Sequence, residues 1–320
     1  MTETSKAILI AGPNLSLDRT IAVDEISVGR IHRARRRDAR GGGKGANVAR
    51  ALGSVGTHAR VGGFVAGATG DAIRSLLGHE GLHVSTIEVE GESRSCLTVL
   101  ARESTTVFNE EGPSIEGWAW ERFEDLILEN VPERGILVCS GSWPPGAPVD
   151  AVAGLVRGAV ARGCFTICDT SRAQLQRALE AEPDLIKPNL AEARALLDPD
   201  APPEPVDEGA GALDRAAGYA TRLAELGPKA VVCSAGSQGA VLVAGADLWR
   251  FPALPIEAVN PVGAGDSMVA GIADALARDG DLVSAVRWGT AMAAASCETF
   301  AAGLLDGDRA RQLYASSSAI

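Results

Sequence analysis

The feature that most restricts this chain is an alternation. Short, largely apolar runs at 7–11 (AILIA), 136–140 (ILVCS), 166–169, 185–187 and 230–234 are each followed by a longer stretch of helical period. Runs without polar alternation suit strands buried on both faces. Such strands need helices over both faces and connections long enough to cross the sheet. The pattern predicts an α/β chain built on a mostly parallel sheet. Helices are predicted at 46–52, 71–77, 149–161 and 267–278, with several more between 265 and 314, and a further strand at 58–62. Two segments depart from this rhythm. Residues 18–40 and 95–109 read as strands with no helix after them, and 96–101 and 105–109 flank a short polar link as a hairpin would. They predict a small β lid inserted into one continuous domain, 1–320. The proline- and acid-rich stretch 199–209 reads as a surface loop within that domain.

Charge and composition remove several function classes. The net charge is −11, which disfavours a dedicated nucleic-acid binder but leaves room for a local basic pocket. The long uncharged stretch 230–246 is too short, and too broken by glycine, to span a bilayer. The opening MTETSKAILIAGP has only the brief apolar run 7–11, preceded by Glu3, and no secretory-type core. None of the six cysteines forms a CxxC, and four sit in strand-like runs. Reduced thiols and a cytoplasmic location are therefore expected. The four histidines are scattered without metal-ligand spacing, so no zinc centre is expected.

Two glycine clusters carry the chemistry. The first is Gly41-Gly42-Gly43-Lys44-Gly45-Ala46-Asn47-Val48-Ala49-Arg50. Its glycines let the backbone take positive φ and approach a ligand closely. The helix that follows turns its free N–H groups back into the loop. Asn47, in the first turn, offers a donor and an acceptor to a polyol. Lys44 is followed by Gly45, not Ser or Thr, so this is no Walker A loop. A tight strand-to-helix turn without a ligand is the plainer alternative. The second cluster, Asn260-Pro261-Val262-Gly263-Ala264-Gly265-Asp266-Ser267-Met268, opens another helix. Successive N–H groups there make an anion hole, with Asp266 beside it. A carboxylate next to such a nest fits a site that handles a proton and a developing negative charge. The alternative is that Asp266 only caps its helix.

Together the clusters resemble the paired signatures of the ribokinase-like sugar kinases, in the phosphofructokinase B branch. Other elements agree in order: Asp18 after the first strand, Ser140-Gly141-Ser142-Trp143-Pro144-Pro145-Gly146, Lys187-Pro188-Asn189-Leu190-Ala191-Glu192, and Ser234-Ala235-Gly236-Ser237-Gln238-Gly239. The resemblance runs from about residue 7 to 305. It implies a three-layer, ribokinase-like α/β sandwich with a β lid, and a kinase that uses ATP and Mg²⁺. On that resemblance Asp266 is the base on the sugar hydroxyl, and Gly263, Ala264 and Gly265 hold the transferring phosphoryl group. Asp18, Gly42, Gly43 and Asn47 hold the sugar. Lys187, Asn189, Glu192, Ser234, Gly236 and Gly239 face the nucleotide. Asp169 ends a strand at the side where open α/β sheets bind ligands, which suits a place near the metal or the phosphates. Asn189 and Glu192 orient a hydrated Mg²⁺, though the same pair equally fits a helix capping box. A solvated strand-end lysine is the plainer reading of Lys187.

The acceptor is read from cations. Arg30, Arg33, Arg35, Arg36, Arg37 and Arg40 crowd one short segment of an acidic chain. The resemblance aligns Arg30 and Arg94 with residues that hold a substrate phosphate. It aligns Lys44 with a lysine of the 1-phosphofructokinase and tagatose-6-phosphate kinase branch, which Phe108-Asn109-Glu110-Glu111-Gly112-Pro113 also resembles. Three cations converging on one end of a pocket suit a dianionic phosphate. The expected activity is phosphorylation of a phosphorylated ketohexose, fructose 1-phosphate to fructose 1,6-bisphosphate. The alternatives are tagatose-6-phosphate or fructose-6-phosphate kinase, then a free-sugar or nucleoside kinase. A sugar-phosphate sensor without turnover is the alternative from another class, and the intact Gly263-Ala264-Gly265-Asp266 argues against it. The expected partners are the sugar phosphate and ATP, with no nucleic acid and no membrane. Ile21, Val23, Val99 and Val107 give the lid an apolar surface on which a second copy forms a homodimer.

Overall fold

The uninterrupted apolar runs become the middle of a nine-stranded sheet in the computed structural model, which describes residues 5–102, 104–170, 172–200, 209 and 211–319. From the N-terminus, β1 (Ile8–Asn14), β2 (Ser16–Ala22) and β3 (Arg36–Gly42) precede α1 (Lys44–Ser54). Then come β4 (Ala59–Val65), α2 (Gly67–His79), β5 (His83–Glu88), β6 (Arg94–Ala101), β7 (Ser104–Asn109) and α3 (Gly117–Asn130). The middle of the chain forms β8 (Ile136–Ser140), α4 (Ala151–Val160), β9 (Phe165–Asp169), α5 (Arg172–Leu179), β10 (Leu185–Ile186), α6 (Leu190–Leu197) and α7 (Ala212–Ala224). The last third forms β11 (Ala230–Ser234), β12 (Gly239–Ala244), β13 (Asp247–Pro252), α8 (Ala264–Ala277), α9 (Leu282–Cys297) and α10 (Gly307–Ser316).

The large sheet has the order β13-β12-β11-β10-β9-β8-β1-β4-β5. Every neighbouring pair from β5 to β11 is parallel, and only the β11–β12 and β12–β13 pairs are antiparallel. Successive side chains of a strand point to opposite faces. Leu9, Ala11, Leu137 and Cys139 thus pack with α3 to α7 on one face, while Ile8, Ile10, Ile136 and Val138 pack with α1, α8, α9 and α10 on the other. Both faces are dry, which is why these strands read as continuous apolar runs. Each fully buried leucine or isoleucine there stabilises the sandwich by roughly 1.5–3 kcal/mol.

The two helix-less segments meet in a separate four-stranded sheet of order β3-β2-β6-β7. β6 and β7 form the expected hairpin, and β2 joins β6 in parallel with Asp18 opposite Cys96. Residues 23–35 form no strand and loop outward. Val23 and Val99, expected as open lid surface, are each only 8% exposed. Val107 is exposed as expected, and Val28, Ile31 and Phe108 stand out further. β5 and the β12–β13 pair were not anticipated. β5 and β13 carry charges because they are the sheet edges, and so lack the apolar signal of the centre. α8 begins at Ala264, one turn before the helix expected from 267. Most of 199–209 lies outside the described residues. Among the described residues no helix is long and apolar enough to cross a membrane.

Candidate active site

Five strand ends meet beyond one edge of the layers. Asn14 ends β1, Ser140 ends β8, Asp169 ends β9, Lys187 follows β10, and Ser234 ends β11. The chain leaves β1 for β4 and β5 on one side and for β8 to β13 on the other, and such a switch point opens a crevice at the carboxyl ends of the strands. The lid hangs from that point, because only Leu15 separates β1 from β2.

Asp18 reaches down from β2 onto the first glycine cluster. Ser16 Oγ donates to its carboxylate at 2.5 Å, and the Gly43 N–H at 3.4 Å. A Cβ on Gly42 would run into that carboxylate, so the close approach requires glycine. Burial pushes the Asp18 carboxyl up, against the pull of Ser16, Gly43, Arg94 and Arg50. A cavity of about 10 Å³, room for one water, lies among Asp18, Thr20, Asp38, Arg40, Asn47 and Arg50. Arg94 stands nearby at the start of β6. Its Nη2 donates to Asn14 O at 2.9 Å, while its Nε is buried with no partner in the protein.

Asp266 lies in the first turn of α8 and is 5% exposed. Asn47 Nδ2, from α1, donates to its Oδ2 at 2.9 Å. Burial is the main force on Asp266 and raises its pKa to about 7. The charge of Asp169 pushes the same way, and Lys44, Asn47 and Lys187 push back. Gly263 caps α8 in the left-handed conformation at φ 87°, and a Cβ there would stand 2.8 Å from Gly303 N. The Ala264 N–H already donates to Pro261 O at 3.2 Å. The helix-start donors left to point into the crevice are those of Gly265 and Asp266. Asn260 shapes this turn by accepting from Val262 N–H and donating to Phe300 O.

A cluster of charges covers the other side of Asp266. Lys44 Nζ is 3.3 Å from Asp169 Oδ2 and 3.9 Å from Glu192 Oε1, and Lys187 Nζ is 3.2 Å from Asp169 Oδ1. Burial opposes the charge on Asp169, yet Lys187 and Lys44 outweigh it and hold that carboxyl below its ordinary range. Burial likewise opposes the charge on Lys44, and Asp169, Glu192 and Asp266 outweigh it and raise that amine. A Cβ on Gly265 would lie 3.4 Å from Lys187 Nζ, so this buried lysine abuts the α8 N-terminus and is not a solvated strand end. Asn189 and Glu192 do form the capping box, at 2.8 and 2.9 Å. Glu192 Oε1 remains outside it. Both Asp169 oxygens are held by Lys44 and Lys187, so Glu192 Oε1 is the acidic oxygen left to meet a hydrated Mg²⁺, and among the described residues no group of three acidic, His or Cys side chains could hold a metal directly. Ser234 bridges to Asn189, and the turn through Gly236 and Gly239, at φ 52° and 109°, closes this end.

The three cations expected at one phosphate do not gather. Arg94 lies by Asp18, Lys44 points to the Asp169 side, and Arg30 is exposed on the outward loop. The neighbouring arginines are engaged locally: Arg35 with Asp24, Arg40 with Asp38, and Arg36 over the Phe300 ring at 4.1 Å. Arg50 and Glu80 had no role in the sequence reading, although Arg50 follows Asn47 at helical spacing within the glycine motif. The signal was present, but its partner Glu80 is 30 positions away.

Known proteins share this fold. Phosphofructokinase-2 from Escherichia coli, solved with potassium, with fructose-6-phosphate and in a tetrameric inhibited form, aligns at 30% identity and a TM-score of 0.85 over 97% of this chain and 98% of its own in the potassium complex. A possible 1-phosphofructokinase from Thermotoga maritima shares the fold at 24% identity and a TM-score of 0.85, over 98% of this chain and 99% of its own. The fold is that of the ribokinase-like α/β kinases. Residues 14–306 match the pfkB family carbohydrate kinases. A tagatose-6-phosphate kinase from Staphylococcus epidermidis is 31% identical over 271 residues, 84% of this chain and 85% of that protein. The chain belongs to the pfkB family of carbohydrate kinases and is an ATP-dependent sugar kinase.

Proposed function

We propose that this kinase transfers the γ-phosphoryl group of ATP to a primary hydroxyl of a phosphorylated ketohexose, with fructose 1-phosphate as the leading acceptor. The observation that carries the reading is the orphaned donor Arg94 Nε, buried beside Asp18 at the sugar end of the crevice. A half-buried guanidinium with an unused N–H calls for an anionic oxygen, and a substrate phosphate supplies it.

Asp18, Asn47 and the backbone of Gly42 and Gly43 orient the sugar hydroxyls. Asp266 takes the proton of the attacking hydroxyl as its oxygen bonds to the γ-phosphorus. The bond from that phosphorus to the bridging oxygen breaks, and ADP leaves with the electron pair. The N–H groups of Gly265 and Asp266, with Lys187 and Lys44, bind the charge on the group in flight. Ala264 and Gly263 shape that turn. Bound with the nucleotide, Mg²⁺ would neutralise its phosphates. Glu192 would hold it through water, with Asn189 fixing Glu192 and Asp169 holding Lys44 and Lys187 beside it, while Ser234, Gly236 and Gly239 border the nucleotide.

A second reading rests on the relatives, whose names specify 6-phosphates. In a ketohexofuranose, C1 and C6 both hang from carbons that flank the ring oxygen. A phosphate at Arg94 therefore leaves a primary hydroxyl at the far end in either isomer. ADP release with fructose 1-phosphate, fructose 6-phosphate, tagatose 6-phosphate and the free sugars tests the reading. The highest kcat/KM is expected with fructose 1-phosphate. A preference for a 6-phosphate would establish the second reading, and equal rates with free sugars would remove both. The same proposal includes a homodimer over the lid, where Val28, Ile31 and Phe108 stand exposed, and a reducing, cytoplasmic setting that agrees with six cysteines outside any disulfide.

A further inference from the structure

We propose that Arg50 is a positioning residue for the phosphoryl-transfer step: its guanidinium holds the Asn47 carbonyl and so turns the Asn47 amide nitrogen onto the Asp266 carboxylate. This rests on Asp266 being the proton acceptor.

Arg50 lies on α1 one turn beyond Asn47 and is 5% exposed. Its Nη1 donates to Asn47 Oδ1 at 2.8 Å. Its Nε and Nη2 donate to the Glu80 carboxylate at 2.5 and 3.2 Å, and Nη2 also donates to Gly41 O at 2.5 Å. The guanidinium is thus gripped by the C-cap of α2, by β3 and by its own helix. A guanidinium has donors only. The amide oxygen of Asn47 must therefore face Arg50, which leaves Nδ2 for Asp266 Oδ2 at 2.9 Å. An amide is almost symmetric in shape, so packing alone scarcely selects between its two orientations. The reversed one would set a carbonyl dipole against a carboxylate. The Arg50 contact removes that choice before the substrate arrives. It also leaves the Asp266 Oδ1 lone pairs to receive the proton.

The other groups that face Asp266 are Lys44 on α1, Lys187 after β10 and Asp169 at the end of β9. The two lysines favour the carboxylate, while Asp169 and burial oppose it. None of these three depends on Arg50 for its contact. Arg50 also lowers the Asp18 carboxyl by its charge. Replacing it releases the Asn47 amide that donates to Asp266.

The test compares kcat/KM against pH, from about 5 to 9, for wild type, Arg50→Met, Arg50→Lys and Asp266→Asn. Losing one charge-assisted hydrogen bond should move the acid limb of Arg50→Met upward by about one pH unit, with the rate recovering at high pH. Arg50→Lys, still a pure donor, should keep the limb near its wild-type position. An equal loss at every pH with an unmoved limb would make Arg50 a mere brace and overturn the proposal. Should Arg50→Met fail to fold, Glu80→Gln loosens the same guanidinium and must move the limb in the same direction; an unmoved limb there also overturns it. Failure of the underlying reading looks different. Asp266→Asn would then keep wild-type kcat, and the relay would have no base to position.

Discussion

Lys44 Nζ and Asp169 Oδ2 stand 3.3 Å apart although 125 positions separate them along the chain. The contact ties the glycine loop of α1 to the end of β9. It also assigns Lys44 to the side of the crevice that holds Lys187 and the α8 N-terminus. Asp169 in turn bridges two cations and is fully buried.

Asp169→Ala leaves Lys44 and Lys187 without their shared counter-ion. Breaking a buried pair by removing one partner costs about 3–5 kcal/mol, which urea unfolding would read directly. The lowered carboxyl means the wild-type contribution is complete above its unfolded value near 3.8 and is lost as pH falls through the folded one. The stability gap between wild type and variant should therefore narrow in acid.

Asp266→Asn should bind both substrates normally yet lose turnover by at least about a hundredfold. In the wild type, kcat/KM should rise with pH and level off above about 7, because Asp266 accepts a proton only once ionised. A flat profile, or an amide variant with full kcat, would reduce Asp266 to a helix cap.

Arg94→Ala should raise KM for the sugar phosphate by about ten- to a hundredfold, the scale of a charge-assisted hydrogen bond, and leave KM for ATP nearly unchanged. Equal changes in both would mean that its bond to Asn14 O is structural.

Gly42→Ala drives a methyl group into the Asp18 carboxylate. Overpacking of this kind costs about 1–3 kcal/mol. The loss should fall on sugar binding, read by calorimetry with the sugar phosphate, while nucleotide affinity stays close to wild type.

The lid should close on its substrate. Amide exchange in β2, β3, β6 and β7 is expected to slow at saturating sugar phosphate, with the central strands unchanged. A sedimentation mass near 32.9 kDa at micromolar concentration would rule out the lid-mediated dimer.

The central strands were legible because burial on both faces leaves a local mark. ILVCS at β8 has no polar residue on either face until Ser140. β5 and β13 were not legible, since an edge strand with one wet face resembles a loop. The sugar and phosphoryl motifs were legible for a different reason. Gly42 and Gly263 mark places where a side chain cannot fit.

Sequence by itself determined the layer architecture, the two glycine turns and the carboxylate at the start of α8. Each depends on the period of side chains along one element or on the backbone freedom of one residue. Only the tertiary structure decided which charges meet. It separated Arg30 and Lys44 from Arg94, paired Lys44 with Asp169, and linked Glu80 through Arg50 and Asn47 to Asp266. Those contacts depend on how distant strand ends and helices are stacked, and no local period encodes that distance.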